Sequence, residues 1–172
     1  MPRLAAAAVG PAWVTRYIPS ALIAAPVVVF LAHAGSIAPR QGWAVHDTAQ
    51  GYSALLDSLK AAIKAEGMYL VTQAGPTAAA ARRGIAIPGN RVLGVYRNDY
   101  AVRALATSTA AMIEAPIRFY VTENDDGTAT LSYKTPSAVF APYLDEGGEE
   151  LSAIAVELDA IFADIAARAV AK

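Results

Sequence analysis

Two short strings of alternating residues flank a polar turn between Ile117 and Tyr133, a pattern that few folds other than an antiparallel β-hairpin accommodate. Ile117, Phe119 and Val121 alternate with Arg118, Tyr120 and Thr122. Ala129, Leu131 and Tyr133 alternate with Thr128, Thr130 and Ser132. A period of two sends one set to a buried face and the other to the opposite face. Between the strings lies Asn124-Asp125-Asp126-Gly127, whose Asp-Gly step supplies a glycine free to adopt positive φ. The two strands are therefore expected to pair antiparallel.

The residues around the hairpin extend it into an α+β unit. Residues 92–96 are apolar on both faces, which marks a more central strand. Val102, Leu105, Thr109 and Met112 recur at helical spacing, with Asn98 or Asp99 placed to cap the start. Upstream, residues 43–47 read as a first strand. Residues 52–66 read as a helix with Leu55, Leu56, Leu59 and Ile63 on one face, Asp57, Lys60 and Lys64 on the other, and Gly67 ending it. Residues 68–72 form a second strand, and the alanine-rich residues 75–83 a short helix stopped by Gly84. Residues 85–90, holding Pro88-Gly89, form a loop. After the hairpin, residues 136–144 are short and irregular or helical. Gly147-Gly148 breaks the chain before a long helix over 149–171. Its stripe of Leu151, Ile154, Leu158, Ile161 and Ile165 packs on the sheet or faces a second subunit.

The N-terminal part is of another kind. Residues 1–16 are alanine-rich, and Arg3 and Arg16 are their only charges. Residues 17–37 contain no Asp, Glu, Lys or Arg, and a membrane-spanning helix needs roughly 20 mostly apolar residues. Trp13 and Tyr17 sit where interfacial aromatics belong, and membrane helices tolerate prolines such as Pro19 and Pro26. The expectation is a transmembrane anchor with a cytoplasmic N-terminus. A secretory signal cleaved after Ala34 is the competing reading, because Ala32-His33-Ala34 precedes Gly35 in small-x-small form. Residues 38–42 make a linker, and residues 43–172 a single domain on the periplasmic or extracytoplasmic side.

Composition narrows the chemistry. A length of 172 residues allows one domain with a substantial core, and a formal net charge of −1 offers no polycationic surface for nucleic acid. The absence of cysteine excludes disulfides, thiolate metal sites, cysteine nucleophiles and covalent c-type haem attachment.

Glu114-Ala115-Pro116-Ile117-Arg118-Phe119-Tyr120-Val121, followed by Asp125-Asp126-Gly127-Thr128-Ala129-Thr130-Leu131-Ser132-Tyr133, resembles the domain of unknown function 302 family. The likeness runs from about residue 43 to residue 171. It implies an α+β domain related to the TATA-binding-protein-like folds, with an antiparallel sheet backed by helices and a tendency to form homodimers. It implies no reaction. Many relatives carry an acidic residue and a histidine just after the second strand. Here that place reads Gln73-Ala74-Gly75, so a histidine-dependent role does not carry over.

Candidate site residues are few. His33, inside the apolar segment, is a candidate contact to a partner helix or simply reaches the polar interface. His46 is a candidate ligand for a metal or haem iron, set against an ordinary surface histidine at a strand end. Two histidines without a shared motif make no zinc site. Glu114, near Arg118, and Tyr120, on the same strand face as Arg118, form the most distinctive polar set, placed at an interface or on a plain surface rather than in a pocket. The acids around Gly147-Gly148 lack the spacing of a calcium loop and suit a helix N-terminus. No serine stands in a nucleophile elbow, and no phosphate-binding glycine loop is present.

The chain therefore reads as a membrane-anchored, extracytoplasmic domain with a binding or assembly role and no cofactor, such as an accessory subunit of a membrane complex. The alternative is a periplasmic protein that binds a small ligand or haem through the sheet face and His46, with redox chemistry a further option.

Overall fold

The hairpin closes where the alternation places it. Gly127 takes φ 82° and its N–H donates to the Asn124 carbonyl at 3.0 Å. Asp126 Oδ1 accepts from the Thr128 N–H at 2.9 Å and from its hydroxyl, an arrangement that pulls the Asp126 carboxyl below its usual range. The computed structural model describes residues 37–171. In chain order the elements are β1 (Trp43–Gly51), α1 (Tyr52–Ala65), β2 (Tyr69–Ala74), α2 (Thr77–Ala81), β3 (Asn90–Tyr96), α3 (Asn98–Thr107), a 3-10 turn (Ala110–Glu114), β4 (Ile117–Glu123), β5 (Thr128–Lys134), α4 (Pro136–Phe140), a second 3-10 turn (Ala141–Tyr143) and α5 (Leu144–Val170).

The five strands form one antiparallel sheet in the order β1-β5-β4-β3-β2. The hairpin holds its centre, and β3 lies between β4 and the edge strand β2. Register sets the faces: Phe119 lies opposite Tyr133 and Leu93, and Val121 opposite Leu131. These side chains point to the helix layer, where Leu55, Leu59 and Ile63 of α1 and Leu151, Ile154, Phe162 and Ile165 of α5 are buried with them. Phe119 stacks on Phe162 at a centroid distance of 4.6 Å, and Tyr133 meets the Phe119 ring edgewise at 5.1 Å. Each buried Leu or Phe contributes about 1.5–3 kcal/mol through removal of apolar surface from water.

Several boundaries move from their sequence positions for identifiable reasons. β1 continues past Asp47 because Thr48 still pairs with Ala129 and donates its hydroxyl to the Ala129 carbonyl at 2.9 Å. A bulge then frees Gln50, whose side chain donates to the Ala169 carbonyl near the end of α5 and accepts from Ser58 on α1. The break expected at Gly147-Gly148 falls at Gly148, with φ 58°, inside α5. Along α5 the buried stripe runs through Phe162 rather than Ile161, which is half-buried.

The helix after β3 departs most from expectation. α3 is not capped by Asn98 or Asp99; both lie inside it, and Asp99 instead holds the Arg97 guanidinium at 2.9 Å. It stops at Thr107 because Ser108 turns extended and its hydroxyl accepts from the Ala111 N–H, starting the 3-10 turn. Val102 and Leu105 are 58% and 50% exposed, while Ala104 is the residue buried against the core.

The expected segments at 1–16 and 17–37, and His33 with them, lie outside the described residues except for Ile37. Among the described residues no helix is long and apolar enough to cross a membrane.

Candidate functional site

The face of the sheet away from the helices carries ordered cross-strand rows. Val45, Ser132, Tyr120 and Val92 form one row across β1, β5, β4 and β3. One row further along, Trp43 pairs with Lys134 and Arg118 with Gly94; Lys134 and Arg118 lie one residue past the last β4–β5 pair, Phe119–Tyr133, and line the same cleft as Trp43. Gly94 has no room for a side chain: a Cβ there would strike the Thr72 hydroxyl and the Pro116 ring. From these rows Trp43, Lys134, Arg118, Tyr120 and Val92, with Asn90 beyond Val92, line a cleft of about 430 Å³. Glu114, Ile117, Tyr133 and Val139 close it at the strand ends. The volume falls in the range of small-molecule sites.

Charge is uneven in the cleft. Arg118 is largely exposed, and its guanidinium reaches only to 4.0 Å from one Glu114 oxygen. The other Glu114 oxygen accepts from the Tyr143 hydroxyl at 2.8 Å, which raises the Tyr143 phenol above its ordinary value. Lys134 is exposed and has neither a hydrogen bond nor an ion pair from its side chain among the described residues. At the rim, the Arg40 guanidinium lies 5.7 Å from the Trp43 ring centroid. Deeper in, Asn90 donates its side-chain N–H to the Tyr120 oxygen, which leaves the Tyr120 hydroxyl proton free to donate elsewhere.

Arg118 and Tyr120 thus share a face, as the alternation requires, and that face is a cleft wall. Trp43, Asn90 and Lys134 join them only through strand pairing, which their positions in the chain do not announce. His46 is elsewhere. It sits mid-strand in β1 opposite Leu131, on the helix side of the sheet, with its ring stacked 6.0 Å from Tyr133. Its Nε2 is buried and has no hydrogen-bond partner among the described residues. Also among the described residues, no three His, Asp or Glu side chains gather as metal ligands.

The family model for the domain of unknown function DUF302 matches residues 45–168. Among solved structures, the crystal structure of an uncharacterized conserved DUF302 protein from Bacillus stearothermophilus is similar, with a TM-score of 0.67 and 19% identity. The likeness covers 76% of this chain and 99% of that one, and at this identity it is a likeness of fold. No curated protein matches the chain.

Proposed function

The chain belongs to the DUF302 family, whose domain has no assigned function, and we propose that this member is a binding protein that holds a small molecule on the open face of its sheet. The cleft lined by Trp43, Asn90, Arg118, Tyr120 and Lys134 is the observation that carries this reading. Such clefts combine apolar walls with a few polar groups that orient the ligand. The domain is tethered to a membrane by residues 17–37, a stretch free of Asp, Glu, Lys and Arg, and faces the extracytoplasmic side.

Native mass spectrometry of the full-length protein, taken gently from its source membrane, tests the reading. A bound small molecule is expected in the unaltered chain and lost in Tyr120→Ala and Trp43→Ala. Retention of the molecule in both variants would place it elsewhere and overturn the proposal.

A second reading, association with another chain, draws on the β2 edge. From Met68 to Ala81 there is no charged residue, and Tyr69 and Val71 are 68% and 50% exposed. Uncharged exposed edges are templates for strand pairing. Light scattering on the intact protein should then give a homodimer mass that Val71→Lys reduces to the monomer. An unchanged mass in that variant would dismiss this edge.

A further inference from the structure

Resting on the cleft reading, we propose that the ligand is a flat, apolar monoanion of the aromatic carboxylate class. The first argument is the row Trp43, Lys134, Arg118. Lys134 and Arg118 stand one residue past the last β4–β5 pair, Phe119–Tyr133, and like charges so placed at the ends of neighbouring strands repel. Glu114 offsets this only in part, because it stands 4.0 Å from Arg118 and shares its charge with the Tyr143 hydroxyl. A carboxylate between the guanidinium and the ammonium removes the remaining repulsion, and a planar carboxylate matches the planar arginine fork in a bidentate pair.

The second argument is the charge balance of the walls. Among the lining residues, Arg118 and Lys134 against Glu114 leave one positive charge, Arg40 lying outside the lining against the Trp43 ring. That suits a monoanion, whereas a phosphate dianion would bring excess negative charge towards Glu114. The third is the shape of the remaining surface. Beyond the cations lie the side chains of Tyr120 and Val92, with the Trp43 ring at the side, while Ile117 and Tyr133 are turned to the core and only close the strand ends. An aromatic body stacks on such rings and leaves no polar group stranded. The unused Tyr120 hydroxyl proton adds one donor for a ligand acceptor.

Isothermal titration of the full-length chain in phosphatidylcholine nanodiscs, with 3-phenylpropionate and its neutral 3-phenylpropionamide, tests the assignment. The carboxylate is expected to bind at least about tenfold more tightly than the amide. Arg118→Gln with Lys134→Gln should erase that preference, and Glu114→Gln should strengthen carboxylate binding several-fold. Equal binding of acid and amide, lost in Tyr120→Ala, would overturn the anionic assignment while leaving the cleft as a binding site. Carboxylate affinity unchanged in the Arg118/Lys134 double variant would likewise overturn the assignment. No heat from either compound up to roughly 10 mM would overturn both the assignment and the cleft reading.

Discussion

His46 has its ring against Tyr133, its Nε2 buried, and no hydrogen-bond partner for that nitrogen among the described residues. A buried polar atom without a partner costs about 1–3 kcal/mol, so an apolar side chain of similar reach loses nothing there. His46→Leu is expected to leave the free energy of urea unfolding within about 1 kcal/mol or to raise it. A loss well beyond that would overturn the unpartnered reading of Nε2, and loss of a Soret band from the purified variant would make His46 a haem ligand. The sequence could not place this histidine, because β1 presents two candidate faces and the bulkier apolar residues lie on the wrong one. Trp43 and Val45 alternate with Ala44 and His46. Hydrophobicity alone would turn Trp43 and Val45 inward, yet pairing with Lys134 and Ser132 turns them to the open face. Arg118 and Tyr120 were legible as one face because their strand alternates cleanly. That the face was concave depended on residues brought in by strand pairing, above all Trp43, more than 70 residues away.

Elements with strong periodicity and a clear stop were legible: the hairpin, α1 and the long C-terminal helix. α3 was not, since its apparent stripe of Val102, Leu105, Thr109 and Met112 runs through the Ser108 break, and only a helix continuing past residue 107 would align the four. The side chain that meets the core is the small one, Ala104, because α3 approaches α5 closely and Tyr100 fills the adjoining space beneath Arg97 and Arg103. Leu105→Gln is therefore expected to change stability by no more than about 0.5 kcal/mol, and Ala104→Leu to cost about 1–3 kcal/mol by overpacking. Denaturant titration of the two variants separates this arrangement from the stripe reading, which predicts the reverse order. Arg103 also joins α3 to α5 through Glu157 at 2.8 Å and Glu150 at 3.1 Å. Its hydrogen bond to Glu157 holds that carboxyl below the ordinary value. A depressed folded-state pKa contributes stability that is complete above the unfolded value and is lost as pH falls through the folded one. Glu157→Gln should accordingly flatten the acid side of a melting-temperature profile slightly and leave the neutral region almost unchanged, the pair being solvent-exposed. An acid limb identical to that of the unaltered chain would remove the pair from the stability argument.

For the whole molecule, the remaining contrast is between the mixed, alternating residues 43–171 and the uncharged residues 17–37. The first stretch has enough alternation and turn chemistry to specify a sheet with its helices, and it folds accordingly. The second has no alternating polar face, so its apolar length invites either a bilayer or a signal-recognition route. The two routes leave different molecules. An anchor keeps Met1 to Lys172 intact in the membrane fraction and sets the domain close to the bilayer, because only residues 38–42 lie between the segment and β1. A cleaved signal leaves a chain that begins at Gly35 and diffuses freely. Intact-mass measurement on separated membrane and soluble extracytoplasmic fractions decides between them, and the full-length mass in the membrane fraction is the expected result. A mass starting at Gly35 in the soluble fraction would overturn the anchor and make the cleft protein a diffusible carrier of its ligand rather than a tethered receptor. The anchored form would instead confine binding to the membrane surface, where ligands that themselves partition towards the bilayer are concentrated. An aromatic carboxylate is amphiphilic in that sense, so tether and cleft would then act on the same population of molecules.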